Sequence, residues 1–206
     1  MKSSLLKTGL CGVLFGLALT GCATRYNYAN YREHFPRSIL VLPPLNETTD
    51  VNATYGYLST VTMPIAEMGY YVYPVVVVDH FFKENGMPTP GEMHQAAPKK
   101  IYEIMGADAV LYITLKQYGS KYLVISSTTC VEAHGKLVDT RTETVLWEGK
   151  VMAQQGSSGL LEALVGQIVN QATDAAHQVA VMANLQYAAD GTGLLYGPRS
   201  PKYRKE

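Results

Sequence analysis

Pro98-Lys99-Lys100-Ile101-Tyr102-Glu103-Ile104-Met105-Gly106-Ala107-Asp108-Ala109-Val110-Leu111-Tyr112-Ile113-Thr114-Leu115 holds a helix, its stop and a buried strand in one continuous run. Pro98 suits the first turn of a helix, where a missing N–H costs nothing, and Gly106 suits its C-terminal stop. Asp108 then opens an apolar strand over 109–115. A helix leading directly into a buried strand is the unit of an α/β fold, and the flanking sequence repeats it.

Upstream, Ser38-Ile39-Leu40-Val41-Leu42 is an apolar run ended by Pro43-Pro44, which predicts a buried strand. Leu58, Val61, Ile65 and Met68 recur at helical spacing over 53–68, with Pro64 expected to kink or restart the helix and Gly69 to end it. Residues 70–78 are dense in Val and Tyr and predict a second strand. Asp79 is placed to cap a short helix that Gly86 stops, and a Pro-rich loop follows over 86–91. Downstream, 122–138 and 145–153 predict two more strands, with Asp139-Thr140-Arg141-Thr142-Glu143 as the turn between them. Leu161, Leu164, Val165, Ile168, Ala172, Ala175, Val179 and Met182 line one face of a long C-terminal amphipathic helix. The order β-α-β-α-β-β-β-α predicts an α/β (α+β) domain over residues 37–190, with a mixed sheet of about five strands flanked by helices.

The N-terminus predicts an address. Lys2 and Lys7 precede an apolar stretch over 10–19 that is too short to anchor in a bilayer. Leu19-Thr20-Gly21-Cys22 resembles the lipobox of bacterial lipoproteins, which implies cleavage between Gly21 and Cys22 and a diacylglycerol on the Cys22 thiol. Residues 1–21 then read as a signal peptide. Residues 22–36 are polar and Tyr-rich without periodicity, and predict a flexible tether. The 191–206 tail, rich in Gly and Pro, carries Arg199, Lys202, Arg204 and Lys205 and predicts a disordered or docking segment. In lipoproteins an Asp after the Cys favours inner-membrane retention; Ala23 stands there, so the resemblance implies the outer membrane, with the domain facing the periplasm. A triacylated Cys exceeds the two-chain threshold for stable anchoring. No later stretch is long and apolar enough to span a membrane.

Removing the signal leaves 15 basic against 17 acidic residues, without the basic stripe that nucleic acid requires. Cys11 leaves with the signal and Cys22 is acylated, so Cys130 alone remains and no intrachain disulfide is expected. The five histidines, His34, His80, His94, His134 and His177, have no metal-pair spacing, and neither metal nor cofactor is expected. Gly156-Ser157-Ser158-Gly159 does not match a nucleophile elbow, and Gly191-Thr192-Gly193 lacks the setting of a phosphate loop. In a strand Cys130, Glu132 and His134 share a face, where they could bind metal or form a thiol nucleophile pair; Val131 and Ala133 mark the opposite face as the core. Trp147 alternates with Val145 and Val151, which favours packing over ligand stacking. Many of the 15 tyrosines lie in the tether, the second strand and the tail, a composition that suits contact surfaces.

The lipobox, the 38–44 strand, Gly106-Ala107-Asp108-Ala109-Val110-Leu111 and Leu137-Val138-Asp139-Thr140-Arg141 with Val145-Leu146-Trp147-Glu148-Gly149 together resemble a family of conserved bacterial lipoproteins of unknown function. Asp79-His80-Phe81-Phe82-Lys83-Glu84-Asn85-Gly86 and Leu194-Leu195-Tyr196-Gly197-Pro198-Arg199 fit the same family, so the resemblance spans nearly the whole mature chain. The wider group looks similar to the periplasmic domain of the curli secretion channel lipoprotein CsgG and the N-terminal domain of TolB. That implies a non-enzymatic accessory or assembly module of envelope biogenesis or secretion, partnered by its own copies or by an envelope protein such as a channel-forming lipoprotein. The chain departs from the channel protein in lacking paired amphipathic hairpins for a pore. Two other classes compete: a solute- or glycan-binding lipoprotein serving a transporter, with Trp147 or Tyr112 stacking on ligand, and a hydrolase or redox enzyme using Cys130 and His134.

Overall fold

Ile39 and Val41 point to one side of the first strand and Leu40 and Leu42 to the other, and all four are fully buried. That is why residues 38–42 read as a continuous apolar run: the strand lies inside the molecule, with a layer of helices on each face. The structure, a computed structural model, describes residues 26–123, 126–158 and 169–205. The signal peptide, Gly21, Cys22, and Leu161, Leu164, Val165 and Ile168 of the long helix lie outside the described residues.

The elements run α1 (Ala29–His34), β1 (Ser38–Val41), β2 (Leu45–Asn46), α2 (Ala53–Glu67), β3 (Tyr71–Val72) and α3 (Val75–Glu84). Then come α4 (Pro90–Met93), α5 (Pro98–Met105), β4 (Ala109–Leu123), β5 (Ser126–Asp139), β6 (Val145–Ser158) and α6 (Val169–Asn184), followed by a 3-10 turn over Leu185–Ala188. One mixed six-stranded sheet has the order β3-β1-β4-β5-β6, with β2 also on β4. β1 is parallel to β3 and β4, and β4, β5 and β6 form an antiparallel meander. The larger core lies between one sheet face and α2, α6 and the segments at both ends; a smaller core lies under α3, α4 and α5.

The α/β class is as expected, and α5 has the expected bounds. Gly106 ends α5 at φ 71°, a left-handed conformation that a side chain disfavours, and its N–H donates to the Tyr102 carbonyl at 2.8 Å. Several local expectations are corrected. The second strand is only Tyr71–Val72, and Val75 onward is helix α3. The β-branched run is overridden because Val78 and Phe82, four residues apart, both reach the smaller core, while Val76 and Val77 face solvent. Pro64 sits inside α2 without ending it, since Val61, Pro64 and Ile65 are all buried and packing holds the helix through the missing N–H. The expected strands over 109–115 and 122–138 divide instead at residues 124–125, so Tyr122 and Leu123 belong to β4, and β6 runs past 153 to Ser158. On α6, among the residues whose burial is described, Ala176, Val179, Ala180, Ala183 and Asn184 are buried, Ala175 is half-buried and Met182 is exposed.

The two ends of the domain also differ from expectation. Residues 26–36 are no tether: Tyr28 and Tyr31 are buried in the larger core and α1 packs beside β6. Residues 191–205 form turns folded onto the body, with Leu194 and Leu195 buried in the same core. Aromatic rings and a Leu pair hidden among polar neighbours contribute too little to any periodic pattern to be read as elements. Each nonetheless buries enough apolar area to order its segment, at roughly 1.5–3 kcal/mol per side chain.

Candidate functional site

The three residues expected to share a face do so. The Glu132 carboxylate accepts from His134 Nε2 at 3.1 Å and from Gln117 Nε2 at 3.4 Å, while Val131 and Ala133 are buried on the core side. Cys130 is itself buried, and among the described residues no group of His, Cys, Asp or Glu is arranged to hold a metal ion. Glu132 and His134 make an ordinary same-face pair along β5, and the thiol lacks the exposure that nucleophilic attack requires.

Asp79 is not a helix cap. Pro74 precedes the first turn of α3, and Asp79 lies within the helix, where Lys83 Nζ donates to it at 2.7 Å and the Tyr55 hydroxyl at 3.2 Å. Lys83 Nζ also reaches the Tyr55 hydroxyl at 2.9 Å, so the three groups tie α3 to α2, and these hydrogen bonds raise the Lys83 ammonium above its ordinary value. Trp147 is a core residue as expected: its ring lies 5.6 Å from that of Tyr187 and its indole N–H donates to the Thr192 carbonyl at 2.8 Å. Tyr112 stands edge-on to His94 at 5.3 Å, and burial pushes its phenol up to about 12. His94 Nε2 in turn donates to the Pro43 carbonyl at 3.0 Å, and burial lowers its imidazole below the usual value.

Asp108, which the sequence marks only as the opening of a strand, is a hub. Its carboxylate accepts from the Arg37 backbone N–H at 2.9 Å, from Arg37 Nε at 3.4 Å and from Arg141 Nη2. Its own N–H donates to Ser38 Oγ at 3.0 Å, and the Thr140 hydroxyl donates to the Ala107 and Asp108 carbonyls. The starts of β1 and β4 and the β5–β6 turn are thereby fixed to one another. Arg141 also lies 4.6 Å over the Tyr102 ring.

The tyrosines serve the closure of the two chain ends. The Tyr26 N–H donates to the Gly191 carbonyl at 3.0 Å and the Tyr28 hydroxyl to the Gly193 carbonyl at 2.6 Å. The Tyr70 hydroxyl donates to the Leu195 carbonyl and meets the Tyr31 hydroxyl at 2.6 Å. Beyond it, Gly197 N–H donates to the Met68 carbonyl at 2.9 Å and Arg199 N–H to the Gly69 carbonyl at 3.1 Å. Deeper, the Tyr57 and Tyr187 hydroxyls face each other at 3.3 Å, and burial raises both phenols, Tyr187 to about 12. No periodic signal could have located this network, because each link joins residues far apart in sequence.

Two of the cavities beside this closure adjoin each other. One of about 710 Å³ is lined by Tyr26, Tyr28, Arg32, Asp190, Tyr196 and Lys202 among others; the second, about 230 Å³, shares Arg32 and Leu195 and adds Phe35 and Arg204. At the sheet edge, the Gln186 side chain donates to the Met152 carbonyl at 2.6 Å and accepts from its N–H at 3.1 Å, while Asn30 Nδ2 donates to the Val145 carbonyl at 3.2 Å. These amides cover part of β6 as a further strand would. The outer side of α2 and α6 exposes Met63, Val181 and Met182, with Leu185 exposed just beyond. Among the described residues no helix is long and apolar enough to cross a membrane.

Residues 26–199 match the family described as "Putative lipoprotein GNA1162-like". The chain is 42% identical over 208 residues to "Putative lipoprotein NMB1124/NMB1162" of Neisseria meningitidis serogroup B, covering 94% of this chain and 97% of that protein. The crystal structure of lipoprotein GNA1162 from Neisseria meningitidis superposes with a TM-score of 0.56 at 47% identity, covering 66% of this chain and 97% of that one.

Proposed function

Because the chain belongs to the GNA1162-like lipoprotein family, we propose that it is a lipid-anchored envelope protein working as a non-enzymatic accessory or assembly module. Cleavage between Gly21 and Cys22 leaves Cys22 acylated, and Ala23 directs the protein to the outer membrane with the domain facing the periplasm. The observation that carries the module reading is the exposed apolar strip of Met63, Val181, Met182 and Leu185, set on a rigid helical layer. A surface that keeps such side chains in water suits protein contact. The partner is a second copy or another envelope protein, and a curli-channel-like secretion system is the setting that the sequence resemblance suggests. Of the two rings that would stack on a solute or glycan, Trp147 is buried against Tyr187 and Tyr112 is half-buried and edge-on to His94, so both are engaged in packing.

The test is cross-linking in intact cells from a photoreactive residue at Met182, followed by mass spectrometry of the recovered adduct and of the N-terminal peptide. A homo-oligomer or one defined envelope protein attached to this strip is the expected result. Monomer alone, from cells in which Cys22 is acylated, would overturn the assembly reading while leaving the anchor in place.

A further inference from the structure

The face around the two cavities carries Arg32, Lys202, Arg204 and Lys205, all exposed, with Asp190 the carboxylate lining the larger cavity and Glu33 exposed on α1. Two of these cations, Lys202 and Arg204, lie on aromatic rings. Lys202 Nζ is 4.8 Å from the Tyr196 ring centre and donates to its hydroxyl at 3.2 Å. Arg204 is 4.4 Å over Phe35 and 5.1 Å over Tyr203, whose two rings meet edge-on at 5.6 Å. Rings with polar tips, interleaved with long basic side chains, are the composition of the bilayer interface, where the ring lies at the headgroup level and the cation meets phosphate. In sequence, 199–206 carries four cations against Glu206.

Position adds an independent constraint. Tyr26 lines the larger cavity and stands four residues after Cys22. Four fully extended residues reach no farther than about 14 Å. An acylated Cys22 therefore holds this rim of the cavity within that distance of the bilayer, whatever path the intervening residues take. The basic, aromatic face is thus within the part of the described domain that the anchor brings to the lipid, and its charge and rings distinguish it there.

We infer that this face lies on the membrane and binds anionic phospholipid headgroups, with Arg32, Lys202, Arg204 and Lys205 meeting the phosphates and Tyr196 and Tyr203 at the interface. The inference rests on the proposed acylation of Cys22. It gives the anchor a second attachment point and sets the domain's orientation, so that the α2–α6 strip is presented in a fixed direction.

The test uses the lipidated mature protein in phosphatidylcholine vesicles with and without phosphatidylglycerol, following hydrogen exchange over 26–35 and 199–205. Each cation near an anionic surface is worth about fivefold in binding. Exchange in both segments should therefore slow at least about fivefold with phosphatidylglycerol, and the difference should vanish in high salt. It should also vanish in R32E/K202E/K205E, whose melting temperature is measured alongside; if that variant melts early, K202Q/K205Q replaces it and should halve the effect or more. Equal exchange on both vesicles, with Cys22 shown to be acylated, overturns the headgroup site and leaves the anchor reading standing. An unacylated Cys22 overturns both. Slowing that requires an added protein rather than phosphatidylglycerol assigns the face to that protein and overturns the lipid proposal.

Discussion

Replacing Tyr70 by Phe tests whether residues 191–205 belong to the fold. The ring stays buried and only the hydroxyl is lost, so packing is nearly conserved. The Leu195 carbonyl loses its Tyr70 donor and Tyr31 loses the hydroxyl it faces at 2.6 Å. Because the Tyr70 proton goes to Leu195, the Tyr31 proton goes to Tyr70. Tyr70→Phe thus removes two linked bonds, whereas Tyr31→Phe removes one and leaves the Leu195 bond intact. A buried polar group left unsatisfied costs about 1–3 kcal/mol, so Tyr70→Phe should cost about 2–4 kcal/mol and Tyr31→Phe about 1. For a domain of this size each kcal/mol lowers Tm by about 2–4 °C, so the expected drops are roughly 4–15 °C and 2–4 °C. The assay is thermal unfolding of both single variants and the double variant, with hydrogen exchange over 192–200. The double variant should fall short of the sum of the singles, since both remove the same Tyr31–Tyr70 bond. Two singles of equal cost, or a Tyr70→Phe protein that melts like the wild type with unchanged exchange in the tail, would refute the network as drawn.

Gly197→Ala would place a Cβ 2.7 Å from the Gly69 backbone and should lower stability by at least about 1–3 kcal/mol by prising the tail from α2, seen as faster exchange over 191–205 with α5 unaffected. Asp108→Asn keeps the shape and removes the charge that two arginines meet, and should cost about 1–3 kcal/mol in denaturant unfolding, with m unchanged. Burial lowers the His94 pKa from 6.5, so the unfolded chain binds the proton first as pH falls. Stability is therefore fully present above pH 6.5 and is lost as pH drops through the folded value, a dependence that His94→Gln should flatten in melts taken between neutral and acid pH. Cys130→Ala and His134→Ala should both behave as wild type in cells; loss of function in either would reopen the thiol chemistry that the buried Cys130 argues against.

What was legible in the sequence is what repeats locally. The 98–115 run gave its helix, its stop and the start of its strand, because Pro98 and Gly106 act through their own backbone geometry and need no partner. The 38–42 strand was legible because burial on both faces leaves no polar position to confuse. Val75–Val78 misled because β-branched residues favour strands only where the pleat is half-buried, and here an i, i+4 pair facing a second core was stronger. The chain ends misled for another reason. Tyr28, Tyr31, Leu194 and Leu195 are buried by each other's segments, and no window over either end alone contains the partner. The Asp108 hub was invisible for the same cause, its partners Arg37 and Arg141 being 71 and 33 residues away.

The Tyr28–Gly193 and Tyr70–Leu195 bonds join positions 165 and 125 residues apart. A chain made from its N-terminus therefore emerges with the aromatic half of this seam long before the carbonyl half exists. The β4–β5–β6 meander can pair as it appears, since its contacts are between neighbours, but the Gly193 and Leu195 carbonyls that Tyr28 and Tyr70 meet come only after the whole sheet. Completion of the domain is thus a terminal event. A chain ending before residue 193 would have a sheet that is nearly whole and a core that is open at this corner.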